Sequence, residues 1–213
     1  MKRLLLVAAL FSTVASAGSA IAQSTPDPFT GGDAEKGAAK AVVCAACHGP
    51  GGNSSNPEWP KLAGQHAPYG YAQLQAFKSG ARKNPLMTAQ AAALSEQDMK
   101  DLAAFFARQK AQPGVASPDA VKTAETLYRA GDAKRGLPAC TACHGPQGVG
   151  NAAAGYPRIG GQHAQYSATA LRQLLAEAAS PGTQGNRATM AAVAAKLTDS
   201  EIEALASYVN GLH

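Results

Sequence analysis

Two pentapeptides hold all four cysteines of this 213-residue chain, Cys44-Ala45-Ala46-Cys47-His48 and Cys140-Thr141-Ala142-Cys143-His144. Two thiols separated by two residues and followed at once by histidine form the C-x-x-C-H pattern of covalent haem attachment. The spacing lets both thiols reach the vinyl groups of one porphyrin as thioethers. The adjacent imidazole is then held beneath the iron. C-x-x-C alone also serves redox dithiols and half-sites for zinc. Zinc would need two further soft ligands nearby, and a thioredoxin-like dithiol needs strands around it. Neither pentapeptide has either. The expectation is two haem c groups, on Cys44 and Cys47 and on Cys140 and Cys143, with His48 and His144 as proximal ligands.

The sixth position on each iron separates electron transfer from catalysis, because an open or weakly filled site binds oxygen or peroxide. Since the motif occurs twice, ligand candidates can be matched between copies. Met87 lies seven residues before Leu94, and Met190 lies seven residues before Leu197. These two are equivalent and are expected in a loop facing the haem opposite the proximal histidine. Met99 matches Ile202 inside an apolar stripe and reads as core filler, the usual role of methionine. His66 and His163 are also equivalent, about 18 residues past each proximal histidine. They leave open a bis-histidine iron beside the simpler reading of capping histidines near the haem edge. His213 has no counterpart.

The elements that must position these residues form a duplication. Gly32-Asp33-Ala34 and Gly131-Asp132-Ala133 lead into the two motifs, and Cys-His-Gly-Pro recurs at 47–50 and 143–146. Trp59-Pro60-Lys61-Leu62-Ala63-Gly64-Gln65-His66 then answers Tyr156-Pro157-Arg158-Ile159-Gly160-Gly161-Gln162-His163. The period drifts through 99, 96, 97 and 103, which places small insertions in loops. A run rich in proline and glycine, 113–118, reads as a linker. It divides a first copy, 23–112, from a second, 119–213. Alanine- and lysine-rich approaches at 34–43 and 120–129 suit helices. So do Tyr69 to Lys78 and Tyr166 to Ala178, where Leu74 and Phe77 match Leu171 and Leu174. Capping-box patterns at Ser95–Asp98 and Thr198–Glu201 open the last helix of each copy. Each then carries a core stripe: Met99, Leu102, Ala103, Phe106, and Ile202, Leu205, Ala206, Val209. No β alternation competes, so the fold class is all-α, two tandem helical domains each wrapped around one covalent haem.

The first 22 residues read as a signal peptide. Lys2 and Arg3 precede an apolar run from Leu4 to Val14, and Ala20-Ile21-Ala22 supplies a cleavage site. The run is short for a permanent span. An exported, periplasmic protein follows, and peripheral association with the membrane surface is compatible with that placement. The formal charge of +5 falls to +3 without Lys2 and Arg3, and four haem propionates would bring it to about −1. No basic run or basic aromatic patch is present, which argues against a nucleic-acid partner.

Taken together, the duplicated C-x-x-C-H domain, the Pro-Lys-Leu-Ala-Gly-Gln-His run and the tyrosine-bearing helix after it resemble the dihaem cytochrome c4 family. The resemblance covers essentially the whole chain after residue 22. It implies two class I cytochrome c domains with His/Met iron, His48 with Met87 and His144 with Met190. It also implies that the Pro60 and Pro157 carbonyls accept a hydrogen bond from the proximal histidines. One local departure is Leu137-Pro138-Ala139, a shorter approach to the second motif than Ala38 to Val43. The implied activity is electron carriage, not enzymatic turnover of a small-molecule substrate, with a quinol-oxidising complex as donor and a terminal oxidase as acceptor. Three other readings bear weighing: the cytochrome subunit of a periplasmic dehydrogenase, a dihaem peroxidase, and a module using haem only as a structural staple. Matched Met87 and Met190 argue against the last two.

Overall fold

A computed structural model describes residues 27–180 and 183–213. The expected signal segment, 1–22, lies outside the described residues. The first copy runs α1 (Ala34–Ala41), α2 (Ala45–His48), α3 (Ala67–Ser79), α4 (Pro85–Ala92) and α5 (Glu96–Ala107). The second runs α6 (Pro118–Ala130), α7 (Thr141–His144), α8 (Ala164–Glu177), α9 (Gly185–Ala194) and α10 (Asp199–Asn210). Among the described residues the only β pairing is two isolated bridges, Asp132 with Leu137 and Asn151 with Tyr156. The fold class is all-α, as the sequence implies.

Each copy is built on a crossing between its first and last long helices. Asp33 caps α1 through the N–H groups of Glu35 and Lys36. Ser95 and Thr198 cap α5 and α10 in full capping boxes, with Asp98 and Glu201 returning the bond. Both core stripes are buried, from Met99 and Leu102 to Ile202 and Ala206. Gly37 lets α1 approach α5: a Cβ there would fall 2.0 Å from the Asp101 carbonyl oxygen. In the second copy Ala120, Ala124 and Tyr128 of α6 pack on Leu205, Tyr208 and Val209 of α10.

The approach to the second motif differs from the first. Asp33 starts a helix that runs almost to Cys44, whereas Asp132 caps only a 3-10 turn, Ala133–Arg135. The matched Gly-Asp-Ala runs are therefore not structural equivalents. Gly131 ends α6 at φ 69°, and Pro138 denies the following turn a backbone donor. Both copies then reach the same tie by different routes. The capping-box acid of the last helix binds a cation from the approach segment: Lys40 Nζ to Asp98 at 3.0 Å, Arg135 Nη2 to Glu201 at 2.7 Å.

The segment 113–118, read as a linker, is strapped along α10. Gly114 N–H donates to the Asn210 carbonyl at 2.9 Å and Ser117 N–H to Ser207 Oγ at 3.0 Å. Pro118 is already the first residue of α6.

Candidate haem-binding sites

Both C-x-x-C-H motifs sit on single helical turns, α2 and α7, with Cys44 and Cys140 at their N-cap positions. The histidine ends each turn, and the next residue is Gly49 or Gly145, at φ 73° and 74° with ψ near 165°. That conformation is essentially confined to glycine, which explains the recurrence of His-Gly. No cysteine is in a disulfide. Burial pushes the Cys44 thiol above its ordinary range and the Cys140 thiol up to about 11. Reactive redox dithiols have depressed pKa values, so these thiols have the wrong character for that chemistry.

The proximal candidates are buried and oriented. His48 is 8% exposed and His144 5%. His48 Nδ1 donates to the Pro60 carbonyl at 2.8 Å, and His144 Nδ1 donates to the Pro157 carbonyl at 3.0 Å. With Nδ1 committed, Nε2 is the nitrogen left to bind a metal. Burial lowers both imidazole pKa values, which the carbonyl contacts partly offset; neutral imidazole is the ligating form. The loops that carry these prolines are pinned alike: Leu62 N–H to the Gly52 carbonyl at 2.7 Å, Ile159 N–H to the Gly148 carbonyl at 2.8 Å. In the second copy the buried Tyr128 hydroxyl also donates to the Gly145 carbonyl at 2.8 Å.

Met87 and Met190 lie within short helices, not in the loops expected of them. Met87 is the third residue of α4, where Pro85 sits at the first turn and the Asn84 side chain accepts its N–H at 3.1 Å. Met190 is the sixth residue of α9, which starts one turn earlier relative to its methionine. Both are half-buried. Met99, at 4% exposure, is packed in the first copy's core.

His66 and His163 reach across to the other copy. His66 Nε2 contacts the Val149 carbonyl at 2.7 Å, and His163 Nε2 the Ser54 carbonyl at 2.8 Å. The preceding glutamines cross too. Gln65 Nε2 donates to the Arg158 carbonyl and its Oε1 accepts the Arg158 N–H, both at 2.9 Å. Gln162 makes the same pair with Lys61, also at 2.9 Å. The two Gly-Gln-His runs thus form one contact with approximate two-fold symmetry. Arg82 adds a contact, donating to Gln73 Oε1 at 2.7 Å and Tyr166 Oη at 3.0 Å. Tyr69 is half-buried beside Tyr166, and burial of its hydroxyl pushes its pKa up to about 12. Sequence reasoning missed this interface. The recurrence of the whole run, beyond any ligand role, was its one signal.

The residues fit haem c. Each copy offers two unpaired thiols next to a buried, oriented imidazole. Arg158 Nε is buried with no hydrogen-bond partner in the protein. A buried cationic donor calls for an anion, and haem propionates are carboxylates. A duplicated helical fold with two such sites defines a dihaem c-type cytochrome.

Comparison with known proteins narrows the class. The Cytochrome c family profile matches residues 34–110 and 121–213. Cytochrome c4 of Stutzerimonas stutzeri is 47% identical over 191 residues, covering 85% of this chain and 90% of that protein. The crystal structure of reduced recombinant cytochrome c4 from Pseudomonas stutzeri superposes with a TM-score of 0.79 at 47% identity, over 85% of this chain and all of that one. The "thiosulfate dehydrogenase electron acceptor" of S. stutzeri strain A1501 is 38% identical, over 79% of this chain and 78% of its own length. This chain belongs to the cytochrome c4 family and is a dihaem electron carrier with two covalent haem c groups.

Proposed function

We propose that the protein shuttles single electrons in the periplasm, taking them from a quinol-oxidising complex and delivering them to a terminal oxidase. Each bound haem supplies one-electron exchange between ferric and ferrous iron. His48 and His144, with their tautomer fixed by the Pro60 and Pro157 carbonyls, would bind the iron through Nε2. Met87 and Met190 would each supply a thioether, a soft ligand that favours the ferrous state and would fill the position peroxide needs. The buried surroundings of the histidines exclude water and disfavour the extra charge of the ferric state. The domains are taken as 23–112 and 119–213, joined by 113–118.

The observation that carries this reading is that both proximal histidines are buried and held by a proline carbonyl, within two copies locked to each other by direct hydrogen bonds. Two matched one-electron sites in fixed relation suit carriage more than turnover. The test is a pyridine haemochrome count with the visible spectrum of oxidised protein. Two haems per chain with the weak far-red band of methionine-bound ferric haem are expected. A high-spin spectrum at either site would overturn the carrier reading in favour of a peroxidase.

A second reading has its own observation. Similarity to a protein called a thiosulfate dehydrogenase electron acceptor suits a chain that takes electrons from a dehydrogenase rather than from a quinol-oxidising complex. Rapid reduction by a purified periplasmic dehydrogenase, with slow reduction by a quinol-oxidising complex, would favour it.

A further inference from the structure

Two peptide groups, Pro60–Lys61 and Pro157–Arg158, have their polar ends engaged in different copies. The Pro60 carbonyl accepts from His48 Nδ1 at 2.8 Å, while the N–H of the same peptide unit, on Lys61, donates to Gln162 Oε1 of the second copy at 2.9 Å. The Pro157 carbonyl likewise holds His144 at 3.0 Å, and the Arg158 N–H donates to Gln65 Oε1 of the first copy at 2.9 Å. The glutamine amides can sit only one way. Gln162 Oε1 also accepts the His163 N–H at 3.0 Å, and its Nε2 donates to the Lys61 carbonyl. Gln65 Oε1 accepts the His66 N–H at 3.0 Å. A flipped amide would set NH2 against two N–H donors.

An amide is one conjugated unit, so a hydrogen bond at its N–H increases the negative charge on its carbonyl oxygen. The carbonyl then accepts more strongly from the imidazole, which becomes a more basic ligand. We propose that Gln162 and Gln65 are positioning residues for the proximal histidine of the opposite copy, each acting through a single peptide group, so that docking of the two copies tunes both irons. The inference rests on His48 and His144 being iron ligands. A more basic imidazole favours ferric iron. Loss of the glutamine acceptor therefore shifts the iron of the other copy toward the ferrous state.

The holoprotein tests this through redox titration, with the two haems distinguished by NMR of their methyl resonances. Gln162→Met keeps side-chain length and removes the acceptor. It is expected to raise the potential of the haem on Cys44 and Cys47, leaving the haem of its own copy little changed. Gln65→Met is expected to act on the haem on Cys140 and Cys143. Bond strengthening of about 10–30% along such a chain suggests a shift of about threefold in the ferrous/ferric equilibrium, or about 30 mV at 59 mV per tenfold. Gln162→Glu, a stronger acceptor, is expected to move the same haem in the opposite direction, and the His48 Nδ1 proton resonance should follow both variants. A shift confined to the mutated copy, equal shifts in both, or no shift in variants that stay docked by small-angle scattering would overturn the relay. Should Gln162→Met undock the copies, Gln65→Met, read at the haem on Cys140 and Cys143, decides. Wild-type spectra without histidine-ligated iron would instead overturn the underlying site reading.

Discussion

Asp101 on α5 is fully buried, and its carboxylate accepts from Asp33 N–H at 2.9 Å, Gln97 Nε2 at 2.8 Å and Lys40 Nζ at 3.0 Å. Asp101→Ala leaves the Asp33 N–H stranded at the α1 N-cap and deletes a charge-assisted bond to Lys40. Gln97 is exposed and can turn to water, and Lys40 keeps Asp98 at 3.0 Å. The loss should therefore fall at the low end of the range for a broken buried pair, about 3 kcal/mol. Asp101→Asn retains an acceptor for the Asp33 N–H but sets an amide against the Lys40 ammonium, costing about 2 kcal/mol. Urea unfolding of the holoprotein, followed by circular dichroism and by each haem's absorbance, should show a lower midpoint at unchanged m-value for the first copy. The matching position of the second copy is Ala204, in a crossing that works without a buried charge, so its transition should not move. The pH dependence supplies a sign. Burial pushes the Asp101 pKa up, but the bonds from Asp33 N–H, Gln97 and Lys40 outweigh it and hold the carboxyl below its usual range. The stability it contributes is present above the unfolded value, about 3.9, and is lost as pH falls through the lower folded value. Asp101→Asn should flatten that part of the acid limb. A loss under about 1 kcal/mol for Asp101→Ala, with m unchanged, would refute this account of the crossing.

Met87→Ala and Met190→Ala should each remove half of the far-red band and give one high-spin haem. Met99→Leu should leave the band intact and cost less than about 1.5 kcal/mol, because it keeps core volume. Paired Cys140→Ala and Cys143→Ala replacements should leave one haem per chain and lose about half of the helical ellipticity, since a domain of roughly 90 residues with an alanine-rich core buries little apolar surface alone. His163 gives the interface a pH dependence. Burial lowers its pKa, the Ser54 carbonyl opposes that, and the Lys61 charge lowers it further. Its contribution to docking is present above the unfolded value of about 6.5 and is lost as pH falls through the lower folded value. Scattering should report loosening of the two copies as pH falls below the unfolded value of about 6.5 in the wild type. A His163→Ala protein that loosens over the same range would rule His163 out.

The sequence alone determined what is local or periodic. Thioether chemistry needs its thiols two residues apart beside a histidine, so C-x-x-C-H states its purpose within five residues. The stripes of α5 and α10 and their capping boxes are written in helical spacing and one-turn hydrogen bonds, and they stand where they were read. Duplication sorted Met99 from Met87 and Met190 by comparison of the copies. Tertiary structure decided what depends on distant partners. The helix at Met87 is an exception with a local cause, the Asn84 cap and Pro85 in its first turn, a signal the sequence itself carried. The Gly-Asp-Ala runs diverge because Asp33 begins a helix that can lie against α5 at Gly37, while Asp132 follows a helix already ended at Gly131. His66 and His163 bind carbonyls 83 and 109 residues away. A hydrogen bond across such separations leaves no periodicity in either strip of sequence. Only the packing of one copy on the other could show that the Gly-Gln-His runs join the domains.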